Sequence, residues 1–249
     1  MQPLLLDHVA FGITAIEPVA AFLVGTLGGR ERDVGPGGAF LWWQWEFEGG
    51  GSLEMLLPDG PPDGFLHRFL AMRGPGAHHV TFKVRDIHES LEEARSLGYT
   101  PVGFDDSHPS WLEAFLHPKE AQGIVVQLAE SHPELSGEVP RQPFPTAPSP
   151  APLSRVVGLR FAARSEARAR KQWETLLGGK AASLRDGIAF SYPNSALRIA
   201  VQIDPSADEG PVALEVAAPH SLALPEGPHP LFGLPLVQIP FPPTEAPTS

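Results

Sequence analysis

Apolar and polar positions along this chain recur with two periods. Residues 6–11 (Leu-Asp-His-Val-Ala-Phe) read as a short strand. Ile16, Val19, Ala20, Phe22 and Leu23 then follow at helical spacing, and the run stops at Leu27-Gly28-Gly29, a glycine helix end. The same order returns with a strand pattern at 77–84 and a helical stretch that closes at Gly98. His8 to Gly28 is 20 residues, and His79 to Gly98 is 19. Strand-like runs follow each helix, at 40–47 and 52–57, then at 111–116 and 123–128. The pattern predicts a βαβββ unit written twice, a tandem duplication of about 70 residues. A third copy starts with a strand at 155–161 and a helix ending at Gly178-Gly179, and Gly158 to Gly178 is again 20 residues. Strand patterns at 188–192, 196–203 and 212–216 complete it. No helical pattern follows, so a fourth copy reads as eroded. The expected fold class is α+β.

Composition places the joints. Residues 131–154 hold seven prolines in 24 positions, which denies them both helix and central-strand pairing. We therefore expect a site-bearing domain at 1–130, a Pro-rich linker at 131–154, a degenerate copy at 155–240 and a tail at 241–249. The net charge of −11 is almost wholly a property of the first part, where eight Lys and Arg face 18 Asp and Glu. Such an acidic surface repels phosphate backbones, so nucleic acid is not an expected partner. The N-terminus lacks a basic segment before its short apolar run, and no run of 18 apolar residues occurs. The expectation is a cytoplasmic protein without membrane partners, and a homodimer is left open. The absence of cysteine removes disulfides, thiol nucleophiles and Cys-ligated metal.

Candidate chemistry follows from the repeat. His8 and His79 hold matching positions in the two first strands. Glu54, in Leu53-Glu54-Met55, and Gln127, in Val126-Gln127-Leu128, are polar residues within apolar runs. His8 to Glu54 is 46 residues and His79 to Gln127 is 48, so a pseudo-two-fold pairing would gather all four. Nitrogen and oxygen donors of this kind suit a divalent ion such as Zn, Ni, Co, Mn or Fe. His78 should face away from His79. His67, His88, His108, His132, His220 and His229 fall at turn, helix or linker positions and are expected to be solvated, whereas His117, at a strand end beside a turn, is a candidate to border the pocket. In 41–47 the polar face is Trp42/Gln44/Glu46, so Glu46 is either a second candidate carboxylate, if that face turns inward, or a solvent-facing residue. Glu130, at an odd offset from Gln127, should face the opposite side of its strand.

The segments LDHVAF, SLEMLLP, GFLHRFL, GAHHVTFKVRDI and FLHPKEAQGIVVQLAE resemble the vicinal oxygen chelate superfamily over about residues 4–130. That superfamily includes glyoxalase I, methylmalonyl-CoA epimerase, bleomycin-resistance proteins and extradiol dioxygenases. The resemblance is to the epimerase/glyoxalase branch. It implies paired βαβββ modules forming a cupped mixed sheet around one metal, here with His8, Glu54, His79 and Gln127 as ligands. In that branch the last-strand ligand is normally Glu, which also moves a proton, and Gln127 cannot. Glu54, or alternatively Glu46, would then carry the acid–base role.

The resemblance thus implies an isomerase or lyase acting on a small carbonyl or thioester compound. A bound cation would stabilise an enolate or enediolate formed by proton removal alpha to the carbonyl. Two other readings stay open. One is a non-catalytic, bleomycin-resistance-like binding protein, favoured by Gln127. The other is an extradiol-type dioxygenase, which expects a carboxylate where Gln127 stands. In the third copy, spacing puts Gly158 at the position of His8, Arg198 at Glu54 and Val212 at His79, so no second centre is expected there.

Overall fold

The structure, a computed structural model, describes residues 4–137 and 143–241. The expected tail beyond Phe241 and residues 138–142 of the expected linker lie outside the described residues.

The first half runs β1 (Leu5–Gly12), α1 (Ile16–Gly25), β2 (Arg30–Pro36), β3 (Phe40–Glu46) and β4 (Ser52–Pro58). A short helix, α2 (Phe65–Arg73), leads into the repeat: β5 (Gly76–Val84), α3 (Ile87–Ser96), β6 (Val102–His108), β7 (Trp111–Leu116) and β8 (Val125–Ser131). These strands form one eight-stranded sheet in the order β2-β3-β4-β1-β5-β8-β7-β6. In the centre β1 runs parallel to β4 and antiparallel to β5, and β5 runs parallel to β8. The two βαβββ modules therefore meet along their first strands.

Local sequence explains the elements. Ile16, Val19, Ala20, Leu23 and Val24 form the buried face of α1. Helix α3 opens on Asp86, whose carboxylate accepts from the Glu89 amide at 2.9 Å, an N-cap that satisfies one free helix donor. Gly28, Gly98 and Gly178 all have positive φ just past a helix, as the repeat spacing requires. Alternate residues of β1 split between the two faces of the sheet. Val9 and Phe11 join the main core under the helices, whereas Ala10 packs on the other face with Leu56 and Leu66.

The second half contains β9 (Arg155–Ala163), α4 (Glu166–Ala169) continuing as a π-helical stretch over Arg170–Leu176, β10 (Lys180–Leu184), β11 (Gly187–Ser191), β12 (Arg198–Ile203), β13 (Gly210–Ala217) and β14 (Leu236–Ile239). They form a six-stranded sheet, β10-β11-β12-β9-β13-β14. Among the described residues no helix lies between β13 and β14, matching the eroded fourth copy. The bulges of β9–β13 repeat those of β1–β5. Val157 and Val212 are skipped where Asp7 and His78 are skipped. With that register Gly158 matches His8 as expected, but Ala200 rather than Arg198 matches Glu54, and Ala213 rather than Val212 matches His79. Counting residues misplaced both because loop lengths differ between copies.

Residues 143–154 have neither helix nor strand, yet they are docked. Phe144 packs edge-on to Trp45, the Pro143 carbonyl accepts from the Trp43 indole, and the Ala151 amide donates to the Val24 carbonyl. The two halves also share buried apolar residues, with Phe82 and Tyr192 at 4.9 Å. No helix among the described residues is long and apolar enough to cross a membrane.

Candidate metal centre

Three central strands place the site. Glu54, Ala10 and His79 lie side by side on β4, β1 and β5, with the Ala10 methyl as a low floor between two longer side chains. His8 stands two residues earlier on β1, facing the same way. Its imidazole and that of His79 have centroids 5.9 Å apart. His8 Nε2 lies 3.6 Å from Glu54 Oε2, and His79 Nε2 lies 3.7 Å from Glu54 Oε1. One donor atom from each of the three residues falls within 4.8 Å of the others. All three side chains are buried.

The partners of these groups fix their orientation. His8 Nδ1 contacts Asp7 Oδ2 at 2.8 Å, and Asp7 is in turn held by Lys83 and Arg32. Burial would raise the Asp7 carboxyl, but its hydrogen bond to His8 and three nearby cations hold it well below the usual range. His8 Nε2 meets the Thr81 hydroxyl at 2.9 Å, and that hydroxyl donates to Gln127 Oε1 at 2.5 Å. Burial alone would lower His8, yet Glu54 and Asp7 outweigh it and raise it to about 9. In the metal-free protein the resulting stabilisation is present below about pH 6.5 and lost as pH rises through about 9. Thermal melts in chelator across that window should show the loss in the parent protein and not in His8→Gln.

His79 behaves oppositely. Burial, with His78 and His8 nearby, pushes it well below its ordinary value, so it is a neutral imidazole. Its Nε2 is buried and has no hydrogen-bond partner. An unpartnered ring nitrogen opposite a carboxylate and a second imidazole fits a divalent cation, and these donors suit borderline metals.

Gln127, on β8, is 7 % exposed and reaches the cluster through Thr81. Glu46 is not brought to it: two residues beyond Gln44 on β3, it is exposed opposite Ser52. Glu130 accepts from the Ile87 amide and pairs with His132, away from the cluster as expected. His78 departs from expectation. The bulge on β5 breaks the alternation, so His78 Nδ1 lies 2.9 Å from His79 Nδ1 and its ring packs on Phe65 and Phe69 of α2. His229 departs too. It is buried against Phe22 and Phe232, not solvated.

Four polar residues around the cluster had no weight in the sequence reading: Asp7, Gln44, Thr81 and Glu113. Gln44 donates to Glu54 Oε2 at 2.7 Å, and Glu113 Oε2 accepts from the Gln127 amide at 2.6 Å. Each is a polar residue beside or within an apolar strand run, the signal that singled out Glu54 and Gln127.

Comparison with known proteins bears on the first half. Residues 7–115 match the family described as the glyoxalase/bleomycin resistance protein/dioxygenase superfamily. The chain is 26% identical over 136 residues to the mitochondrial methylmalonyl-CoA epimerase of Homo sapiens, covering 51% of this chain and 73% of that protein. It is 27% identical over 138 residues to the uncharacterized protein YqjC of Bacillus subtilis (strain 168), covering 50% and 91%. A hypothetical protein from Staphylococcus aureus shares the fold over 96% of this chain and all of its own, with a TM-score of 0.59 at 11% identity. Paired βαβββ modules, a curled mixed sheet and the match over 7–115 agree, and the chain carries a domain of the glyoxalase/bleomycin resistance protein/dioxygenase superfamily.

Proposed function

We propose that the first half is a metal-dependent enzyme of glyoxalase/epimerase type, holding a divalent cation with His8, Glu54 and His79 and with the amide oxygen of Gln127. The observation that carries this reading is the buried, unpartnered Nε2 of His79 opposite Glu54 and His8. When bound, the cation supplies Lewis-acid stabilisation of negative charge on a substrate oxygen. The chain's own groups do the rest. Asp7 holds Nδ1 of His8 and so presents Nε2 to the cluster. Gln44 occupies one oxygen of Glu54 and leaves the other facing His79. That carboxylate is the group placed to take a proton alpha to a carbonyl and return it. Ala10, Leu56 and Leu66 form a buried apolar cluster beside it.

The substrate is a small carbonyl or thioester compound. Likeness to the human epimerase supports an acyl thioester, whereas the eight basic and 18 acidic residues of 1–130 disfavour a polyanionic carrier. We assign the chemistry to residues 1–130 and a supporting role to 155–240. The test is proton exchange in deuterated water by protein loaded with Zn, Ni, Co, Mn or Fe. Methylmalonyl-CoA and hemithioacetals serve as substrates. Deuterium should enter alpha to the carbonyl, and Glu54→Gln should stop it. A metal-loaded protein that binds these compounds without exchange would instead support the non-catalytic binding reading. Asp7→Asn should weaken metal binding by roughly 10–100-fold, the usual cost of losing an outer partner of a metal-ligating histidine, measured by competition with a chromophoric chelator.

A further inference from the structure

The site contains two amide–carboxylate pairs on corresponding strands of the two modules. In the first, Gln44 on β3 donates to Glu54 on β4 at 2.7 Å. In the second, Gln127 on β8 donates to Glu113 on β7 at 2.6 Å. The polarity is reversed between them: the inner member is the carboxylate in the first pair and the amide in the second. An amide has one face that can bind a cation and one that cannot, and rotation by half a turn exchanges them. Something must fix that choice for Gln127.

We propose that Glu113 is a positioning residue that fixes the Gln127 amide with its oxygen toward the metal cluster. This rests on the metal reading above. A carboxylate only accepts, so the side of Gln127 that meets Glu113 must be its NH2. The Trp111 indole N–H, which only donates, also meets Glu113 Oε2, at 2.9 Å, and holds that oxygen in place. The amide oxygen is thereby turned the other way, where the Thr81 hydroxyl meets it at 2.5 Å and His8 Nε2 lies just beyond, 2.9 Å from that hydroxyl. Glu113 thus lets an amide stand where the resemblance expects a carboxylate, without presenting its nitrogen to the cation. Its negative charge stays one side chain away from the donors.

The test is a double-mutant cycle on metal affinity, read by chelator competition and by the visible absorption of the Co2+-loaded protein. Glu113→Leu removes the acceptor and should weaken Co2+ binding about 10-fold or more, with a changed spectrum. Glu113→Gln removes the charge but keeps an oxygen that can accept from both Trp111 and Gln127, and it should bind within about threefold of the parent. In a Gln127→Leu background, Glu113→Leu should cost nothing further, because its action passes through Gln127. Melts of the metal-free variants check folding, and Glu113→Met replaces the Leu variant if that one does not fold. Unchanged affinity and spectrum in Glu113→Leu would overturn the proposal, as would an equal loss in both backgrounds or the same loss in Glu113→Gln, which would mean that charge acts directly. A parent protein that takes up no metal overturns the metal reading itself, and this inference with it.

Discussion

Replacing His79 with Ala is expected to remove high-affinity divalent-metal binding while leaving the metal-free protein folded. Two features separate these outcomes. The Nε2 atom of His79 has no hydrogen bond to lose, so the metal-free protein forfeits ring packing with His8 and His78 and the Nδ1 contact to His78 at 2.9 Å, but no bond at Nε2. The same atom faces Glu54 Oε1 at 3.7 Å, within the only His/Asp/Glu cluster of metal-holding geometry among the described residues. Loss of a direct ligand should exceed the roughly 10–100-fold penalty for losing an outer partner. Linkage makes this visible without an activity assay. Free metal at about 100 times its Kd stabilises a protein by about 2.7 kcal/mol, which for this size raises Tm by roughly 5–11 °C. Parent protein should show that rise and His79→Ala should not, at the same metal concentration. A variant that keeps the full metal-dependent rise would exclude His79 as a ligand.

How far the fold could be read in advance depended on what each element buries. Strands β1, β3, β4, β5, β7 and β8 carry their apolar side chains into the core and announced themselves. The edge strands β2 and β6 do not: β2 buries only Val34 and Gly35, and every residue of β6 is exposed, so hydrophobic periodicity has nothing to register there. Helix α2 buries only Leu66 and was equally silent. His8, Glu54 and His79 were legible because duplication repeats a position, and the structure brings their donor atoms together. His78 was not, because a bulge moves a side chain without changing the spacing that predicts its face. Glu113 and Thr81 were missed for another reason. Their importance lies in which atom each one meets, and a strand pattern carries no information about hydrogen-bond partners.

The second half supports the other large prediction. On the face of its sheet that corresponds to the His8, Glu54 and His79 cluster, β9, β12 and β13 contribute Arg160, Arg198 and Glu215. Glu215 is fully buried and accepts from both guanidinium groups, from Arg160 at 2.7 and 2.9 Å and from Arg198 at 2.8 and 3.1 Å. Arg160 also pairs with Asp186. Small residues around them (Gly158, Ala162, Ala200 and Ala213) leave the volume that the two arginine stems occupy. Glu215→Leu would strip both cations of a shared partner inside a half-buried cup. Breaking a buried pair costs about 3–5 kcal/mol, and partial exposure of the arginines places this case near the lower end. The expected fall in Tm is roughly 6–12 °C. Replacing all three residues together, as Arg160→Met, Arg198→Met and Glu215→Leu, leaves only the half-exposed Asp186 without its partner and should restore most of that stability, since apolar replacements of buried ion pairs are commonly neutral or better. A single variant as stable as the parent, or a triple variant no better than the single, would show that the arginines find other partners. The same triad predicts the stoichiometry of metal binding. A cup filled by two guanidinium groups repels a cation, so titration of the full chain should saturate at one ion, and Glu215→Leu should leave that number unchanged.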